Sequence, residues 1–128
     1  MLNNILVVML GGGIGSALRF VAGTYVTRLY GGVFPMGTFL INVTGSFLIG
    51  VLMTLFISRS DMNPVWRLFF VTGVLGGYTT FSSFEWESFA AVKGGVPLVA
   101  VLNVTLSVAL GFLGVWLGSL LAGKTRWN

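Results

Sequence analysis

One stretch of the chain combines residues that are unusual inside an apolar segment. Residues 73–84, GVLGGYTTFSSF, hold three glycines, four Ser or Thr hydroxyls and two phenylalanines three positions apart. Glycine pairs and consecutive threonines are poor residues for a helix interior. In hydrocarbon, each peptide group that loses its partner costs roughly several kcal/mol unless protein, water or an ion satisfies it. The stretch therefore predicts a helix break near residues 76–80 that binds or passes something small.

The composition indicates an integral membrane protein. The chain has 128 residues, of which 55% are hydrophobic and 8% charged, whereas soluble domains carry about 25% charged residues. It has no Cys and no His, which excludes imidazole and thiolate metal ligands, Cys or His nucleophiles and disulfides. The carboxylates are Asp61, Glu85 and Glu87. Few groups are left for acid–base chemistry, so an enzyme is disfavoured.

Four apolar segments predict a single all-α transmembrane domain over residues 1–128. The predicted spans are residues 5–27, 37–57, 65–92 and 96–122. The third, as one straight helix, would be about 42 Å long at 1.5 Å per residue, which exceeds a hydrocarbon core of about 30 Å. Two half-helices around the predicted break fit better. The first segment lacks the basic flank of a signal peptide and is expected to be retained.

Several polar side chains lie inside these spans. Arg19 either snorkels to the interface or lines a water-filled entrance for anions. Thr38 and Asn42 are four residues apart and share a helix face. Asn42 either bonds across helices or points its amide N–H₂ into a polar path. Asn103 and Ser107 form a similar stripe in the fourth span, continued by the small residue Gly111.

Residues 118–125, GSLLAGKT, match the phosphate-binding P-loop pattern letter for letter. A P-loop follows a strand and opens a helix, whereas this stretch ends an apolar span. We therefore predict no nucleotide binding. The net charge of +4 does not predict a nucleic-acid partner either, because the basic residues lie mostly at span ends, where lipid headgroups explain them.

The distribution of basic residues gives a weak orientation signal. With four spans, one side carries Arg59, Arg67, Lys124 and Arg126, and the other carries Arg28 and Lys93, with Arg19 if it snorkels that way. This small difference in the number of basic residues hardly favours one orientation of the chain in the membrane over the other. Two chains inserted oppositely would pair about an axis in the membrane plane, as inverted-repeat transporters do. We therefore expect an antiparallel homodimer.

These motifs resemble a known family. The pattern Gly-x-x-Gly-Gly-x-Thr-Thr-Phe-Ser-Ser-Phe, with Asn42-x-x-Gly45 and the Asn103/Ser107 stripe, resembles the CrcB/Fluc fluoride channels over essentially the whole chain. The resemblance implies a dual-topology homodimer with two antiparallel pores. It also implies passive export of fluoride across the plasma (inner) membrane of a microbial cell.

The resemblance assigns roles to individual residues. The family's pore phenylalanines fall on Phe81 and Phe84, its pore asparagine on Asn42, and its hydroxyl track on Thr38, Ser82 and Ser107. Its central structural Na⁺ would be held by the backbone carbonyls of Gly76 and Thr79 from both subunits, and Arg19 and Glu87 match vestibule positions. This chain departs from the family at Asn103, where a tyrosine is common, and at Gly111, where a hydroxyl is frequent.

Fluoride is small and tightly hydrated, so a pore must replace its water with donors such as Asn N–H₂ and Ser or Thr O–H. Aromatic ring edges are also positive. The main competing interpretation is a small dual-topology multidrug/proton antiporter, which needs a carboxylate embedded in the membrane. The first span has none, and Glu85 and Glu87 lie toward the end of the third. Two further interpretations are a non-conducting structural subunit and a membrane enzyme, and catalytic groups for the enzyme are lacking.

Overall fold

The structure, a computed structural model, describes residues 1–59 and 61–123, and every regular element in those ranges is helical. The elements in chain order are α1 (Leu2–Tyr30), α2 (Met36–Ser58), α3 (Pro64–Arg67), a π-helical segment (Leu68–Leu75), α4 (Gly76–Tyr78), α5 (Phe81–Lys93) and α6 (Pro97–Gly123). Lys124 and Thr125 of the P-loop-like pattern, together with Arg126, lie outside the described residues.

Local chemistry sets where these helices begin and end. α1 ends at Tyr30, and the next residue, Gly31, has a left-handed φ of 37° and donates its N–H to the Thr27 carbonyl. A glycine pays no Cβ penalty in that conformation. The Asn63 side chain caps α3 by accepting from the Val65 N–H at 3.0 Å, and Pro64 occupies the first helical position, where its missing N–H costs nothing.

Three helices among the described residues, α1, α2 and α6, are long and apolar enough to cross a membrane. The 23 residues of α2 correspond to about 35 Å at 1.5 Å per residue, enough for a hydrocarbon core of about 30 Å. The remaining apolar stretch, from α3 to α5, is interrupted at Thr79 and Thr80, which are extended. The chain therefore has a multi-pass membrane architecture with one broken segment.

The helices pack in pairs around this broken segment. α1 lies against the π-helical segment and α4, α2 lies along α6, and α5 also packs on α6. Glycines permit the close approaches. A Cβ on Gly15 of α1 would collide with the Val74 carbonyl oxygen, and one on Gly118 of α6 would collide with the Phe47 carbonyl oxygen of α2. Backbones that approach this closely gain van der Waals contact, which drives helix association in lipid.

The interior is small and the outer surface is apolar. The buried hydrophobic side chains are Phe39, Ile41, Leu75, Phe84 and Ala100, while long apolar side chains on every major helix are exposed. In water such a surface would be an aggregation hazard. In a bilayer it contacts lipid or another protein chain.

We predict that Gly15→Ala destabilises the fold, because the new Cβ would meet the Val74 carbonyl and the Tyr78 backbone nitrogen. Overpacking of this kind costs about 1–3 kcal/mol. Gly13→Ala on the same helix is the control, because nothing lies within 4 Å of its added Cβ and alanine favours helix. Thermal unfolding in detergent should show a lower midpoint for Gly15→Ala alone. Equal midpoints would contradict the tight α1 packing.

Candidate functional site

The break between α4 and α5 is two residues long. Thr79 has φ −80° and ψ 158°, and Thr80 has φ −150° and ψ 122°. Thr80 also starts the next helix: its Oγ1 accepts from the Ser83 N–H at 3.3 Å and donates to the Ser83 Oγ at 3.1 Å. A threonine at this position is a favourable N-cap. The sequence predicted the break near residues 76–80, and the structure keeps Gly76–Tyr78 helical.

Asn42 of α2 holds the break in place. Its Nδ2 donates to the Thr80 carbonyl at 2.9 Å, and its Oδ1 accepts from the Thr80 N–H at 2.8 Å. Both polar groups of one extended peptide residue are thereby satisfied by a side chain from another helix. The pairing also fixes which way the amide faces, and it leaves Asn42 with one uncommitted N–H. Asn42 thus both bonds across helices and retains a donor.

The diverted hydrogen bonds free two carbonyls. In an unbroken α-helix, the Thr80 N–H would donate to Gly76 and the Ser83 N–H to Thr79. Here those donors go to Asn42 and to the Thr80 hydroxyl instead. The Thr79 carbonyl accepts from Arg19 Nη1 at 3.3 Å. The sequence-predicted metal ligands, Gly76 and Thr79, are therefore the residues whose helical donors have been withdrawn.

These carbonyls are chemically suited to a hard cation. Backbone oxygens of unwound helices coordinate Na⁺ in membrane transporters, and a carbonyl has two lone pairs, so Thr79 can accept from Arg19 and still offer one. Within the described ranges, no cluster of three or more His, Cys, Asp or Glu side chains could hold a metal. The ligands available to a cation at the break are therefore neutral oxygens, from backbone carbonyls and from the side chains that line the cavity.

A cavity of about 380 Å³ lies beside the break. Its lining combines donors and aromatic rings with aliphatic side chains, from Asn42, Gly45, Ser46, Ile49, Val71, Leu75, Gly76, Thr79, Thr80, Phe81, Phe84, Ser107 and Val108. Among the described residues, no acidic or basic side chain contributes to this lining. The cavity therefore offers neutral donors rather than a fixed charge.

Phe81 and Phe84 meet at this cavity. Their ring centroids are 5.8 Å apart and the ring planes are inclined by 45°. Phe84 is 7% exposed, whereas Phe81 is 75% exposed. A ring that projects this far from a membrane chain needs lipid or a second protein surface around it. The two residues thus line the same cavity but lie in very different surroundings.

A chain of hydrogen bonds ties α6 to α5 behind the cavity. Ser107 Oγ donates to Asn103 Oδ1 at 3.3 Å, and Asn103 Nδ2 donates to Ser88 Oγ at 2.9 Å. Ser88 Oγ in turn donates to the Phe84 carbonyl at 2.8 Å. Asn103 is 1% exposed. Asn103 therefore lies behind the cavity wall and not in the lining. The Ser107 hydroxyl proton is used in the hydrogen bond to Asn103.

Thr38 and Glu87 lie in a separate small cavity. The Thr38 hydroxyl donates to Glu87 Oε1 at 2.7 Å. Both residues line a space of about 140 Å³ under the loop between α1 and α2. Within the described part of the chain, Glu87 Oε2 is buried and makes no hydrogen bond. The side chain therefore has room to bind a water molecule or a small polar group.

The structure brings together only part of the predicted site. Asn42, Gly76, Thr79, Phe81, Phe84 and Ser107 line the cavity at the break. Thr38 and Glu87 line the smaller one, Asn103 lies behind the wall, and Arg19 reaches the break from α1. Ser82 is exposed and does not line either cavity.

Sequence reasoning missed three residues of the site. Ser46 lines the cavity one helical turn after Asn42, a spacing that places both on one face. Thr80 caps α5 and pairs with Asn42, as a threonine before a helix can. Ser88 links Asn103 to the Phe84 carbonyl. Its contribution had no sequence signal, because a serine in a helix usually bonds its own preceding turn.

Comparison with known proteins agrees with this architecture. Residues 6–119 match the family described as CrcB-like protein, camphor resistance (CrcB). A relative from Solibacter usitatus (strain Ellin6076), named fluoride-specific ion channel FluC, is 52% identical over 93% of this chain and 98% of its own length. A relative of the same name from Acidobacterium capsulatum is 45% identical over 91% of this chain and 94% of its own length. Another, from Coxiella burnetii (strain CbuK_Q154), is 44% identical over 92% of this chain and 96% of its own length. With a family match over nearly its whole length and relatives this similar, the chain belongs to the CrcB family.

Proposed function

We propose that this protein is a fluoride channel of a microbial cell membrane, through which fluoride leaves the cell passively. The observation that carries the proposal is the broken segment held by Asn42, beside a cavity that offers uncharged donors and two phenylalanine rings. The names of the CrcB relatives, all fluoride-specific ion channels, support the choice of ion.

The donors that face the cavity can replace the water around a small anion. Asn42 has one N–H left after its two bonds to Thr80. Ser46 lines the cavity and makes no hydrogen bond to any described residue. Ser107 can donate only by turning away from Asn103. A pore needs binding that is strong enough for entry and weak enough for release, and a mixture of free and committed donors meets that need.

The aromatic rings supply a second kind of stabilisation. The edge of a phenyl ring is positive and its face negative, so an anion is attracted to the edges of Phe81 and Phe84. The rings are inclined to each other, which allows an edge of each to face a common path. Arg19, hydrogen-bonded to Thr79, adds positive charge close to the break. The described part of the cavity lining contains no carboxylate to repel the ion.

The exposed side of the cavity supports an antiparallel homodimer. Phe81 lines the cavity and yet projects from the chain, so its outer side is free to contact another protein surface. A second copy, inserted oppositely and related by an axis in the membrane plane, would bring its own Phe81 and Asn42 to the same region. Two equivalent pores would then form, one along each face of the paired broken segments.

A structural Na⁺ is part of the proposed dimer. The carbonyls of Gly76 and Thr79, released from helical pairing, would hold it together with the same two carbonyls of the second copy. The two copies together would supply four backbone oxygens, and backbone oxygens of unwound helices are ligands for Na⁺ in membrane transporters. When bound, the ion would satisfy these oxygens and place positive charge at the dimer centre.

The arrangement around Glu87 disfavours the antiporter. Glu87 is the carboxylate that reaches into the packed helices, where Thr38 donates to it. The space beside it is about 140 Å³, whereas pockets for drug-sized ligands measure about 300–1,000 Å³. A cationic drug therefore has no room at the group that would have to exchange it for a proton.

We predict that Phe81→Leu and Phe84→Leu each reduce fluoride efflux from liposomes by about tenfold or more, since a loss of about 1.4 kcal/mol at the permeation barrier is a factor of ten. Phe112→Leu is the control, because Phe112 lies on α6 away from the cavity and is 77% exposed. Efflux is followed with a fluoride electrode. Unchanged efflux in both cavity variants, with the folded protein intact, would remove the rings from the pathway.

We predict that Ser46→Ala also slows fluoride efflux, by severalfold, because an unbonded hydroxyl is lost from the cavity. Ser119→Ala provides the comparison, since the Ser119 hydroxyl donates to the Trp116 carbonyl of its own helix. The half-saturating fluoride concentration should rise for Ser46→Ala alone. If both variants behave as the parent, Ser46 is not a fluoride donor.

We predict that the homodimer requires Na⁺. Replacing Na⁺ by N-methylglucamine should lower the thermal midpoint and increase the monomer fraction on dilution in detergent. A ligand at 100 times its Kd stabilises the bound state by about 2.7 kcal/mol. Light scattering reports the mass and thermal unfolding reports the stability, both at constant ionic strength. Identical mass and midpoint in the two cations would argue against the sodium site.

A further inference from the structure

We propose that the groove at the end of α2 binds an anionic phospholipid, with the phosphate on Arg59 and an acyl chain against Trp66 and Phe70. The groove is a cavity of about 450 Å³ between α2 and the start of the broken segment. Apart from Arg59, its lining is apolar: Leu52, Leu55, Phe56, Met62, Trp66 and Phe70. This lipid groove shares no lining residue with the cavity at the break.

The wall of the lipid groove is a preformed aromatic surface. The Trp66 and Phe70 rings are stacked, with centroids 5.7 Å apart and planes inclined by 21°. Phe69 packs edge-on against both rings. Trp66 is still 52% exposed, so the wall can be reached from outside the protein. Rigid rings that are accessible from the side suit a flexible alkyl chain, because little side-chain entropy is lost on binding.

The depth of the lipid groove matches a phospholipid. Gly45 of α2 packs against Thr79 at the break. Arg59 lies roughly 14 residues beyond Gly45, which is about 21 Å at 1.5 Å per residue. Phe70 lies roughly nine residues before Thr79, which is about 13 Å. If the break is at the midplane of a core about 30 Å thick, Phe70 is at the depth of the upper acyl chain, Trp66 is at the interface, where tryptophan is common, and Arg59 is among the headgroups.

The charge at the mouth of the lipid groove selects an anionic headgroup. Within residues 1–59 and 61–123, the Arg59 guanidinium forms no salt bridge and no hydrogen bond. A guanidinium presents several N–H donors in a fixed fork that matches phosphate oxygens. An unpaired arginine above an apolar groove therefore recognises a lipid that carries a phosphate and net negative charge.

A second copy of the chain fits this groove less well. In an antiparallel pair centred on the break, the end of α5 would reach the same level as Arg59. Lys93 closes α5, roughly 14 residues or about 21 Å from Thr79. The partner would thus place a positive charge at the level of Arg59, which does not favour close packing of the two copies there. The lipid site does not depend on which ion the protein conducts.

The test uses Trp66 as the reporter, in a parent variant with Trp86→Phe, Trp116→Phe and Trp127→Phe. The protein is placed in nanodiscs containing a small fraction of brominated phosphatidylglycerol or brominated phosphatidylcholine, and quenching of Trp66 gives the relative affinity. We expect phosphatidylglycerol to be preferred, and Arg59→Gln to reduce that preference about fivefold, the value for one basic residue at an anionic surface.

Arg67→Gln is the matched control, because Arg67 lies one residue after Trp66 but does not line the lipid groove. It should leave the preference nearly unchanged. Equal quenching by the two lipids, or an equal loss in both arginine variants, would overturn the site and indicate diffuse surface attraction. Because the chain has no native cysteine, a chain carrying both Phe56→Cys and Phe89→Cys gives a further check, since in an antiparallel pair residue 89 of one copy lies at about the level of residue 56 of the other. An interchain disulfide between these two positions would show that a second copy covers the groove, which would also overturn the proposal.

Discussion

The fold depends on how the peptide groups of a helix that is broken within an apolar layer find new hydrogen-bond partners. In hydrocarbon, an unpaired N–H or C=O group has no water with which to form a hydrogen bond. Here the N–H and C=O of Thr80 are both paired by Asn42, and the Thr80 hydroxyl accepts from the Ser83 N–H in the first turn of α5. On the N-terminal side of the break, the Leu75 carbonyl accepts hydrogen bonds from both the N–H and the hydroxyl of Thr79. Because these bonds come from fixed side chains, the interruption is held in one geometry.

The packing of the long helices follows from this interruption. Asn42 reaches Thr80 because Gly45, less than one turn later, lets α2 approach the Thr79 side chain. Arg19 reaches the Thr79 carbonyl because Gly15, one turn earlier, lets α1 lie on the backbone of the π-helical segment. A larger residue at either glycine would move the polar partner away from the break. The small residues therefore position the polar ones, in addition to bringing helices together.

Much of the architecture could be predicted from the sequence, because it follows from simple patterns. Apolar length and low charge indicate a helical membrane protein, and the glycines and hydroxyls of residues 73–84 indicate where a helix must fail. The π-helical segment Leu68–Leu75 has no such signal, since its aromatic, β-branched and glycine residues weaken an α-helix but do not indicate which hydrogen-bond pattern replaces it. Nor does the sequence reveal that the Ser107 hydroxyl already donates a hydrogen bond to Asn103, or that the Thr38 hydroxyl donates one to Glu87. Those hydrogen bonds depend on which helix faces which, and that is a property of the packed structure.

In the proposed channel, the Thr79 carbonyl oxygen would contact two positive charges, the Arg19 guanidinium and the Na⁺. One of its lone pairs accepts from Arg19, and the other is free for the proposed Na⁺. Two cations at one oxygen repel each other, so the carbonyl alone cannot favour both. A nearby anion relieves this repulsion, because it is attracted to both charges. Fluoride in the adjacent cavity would thus stabilise an arrangement that is strained without it, while the neutral donors and ring edges of the lining keep the ion from being held too tightly to move.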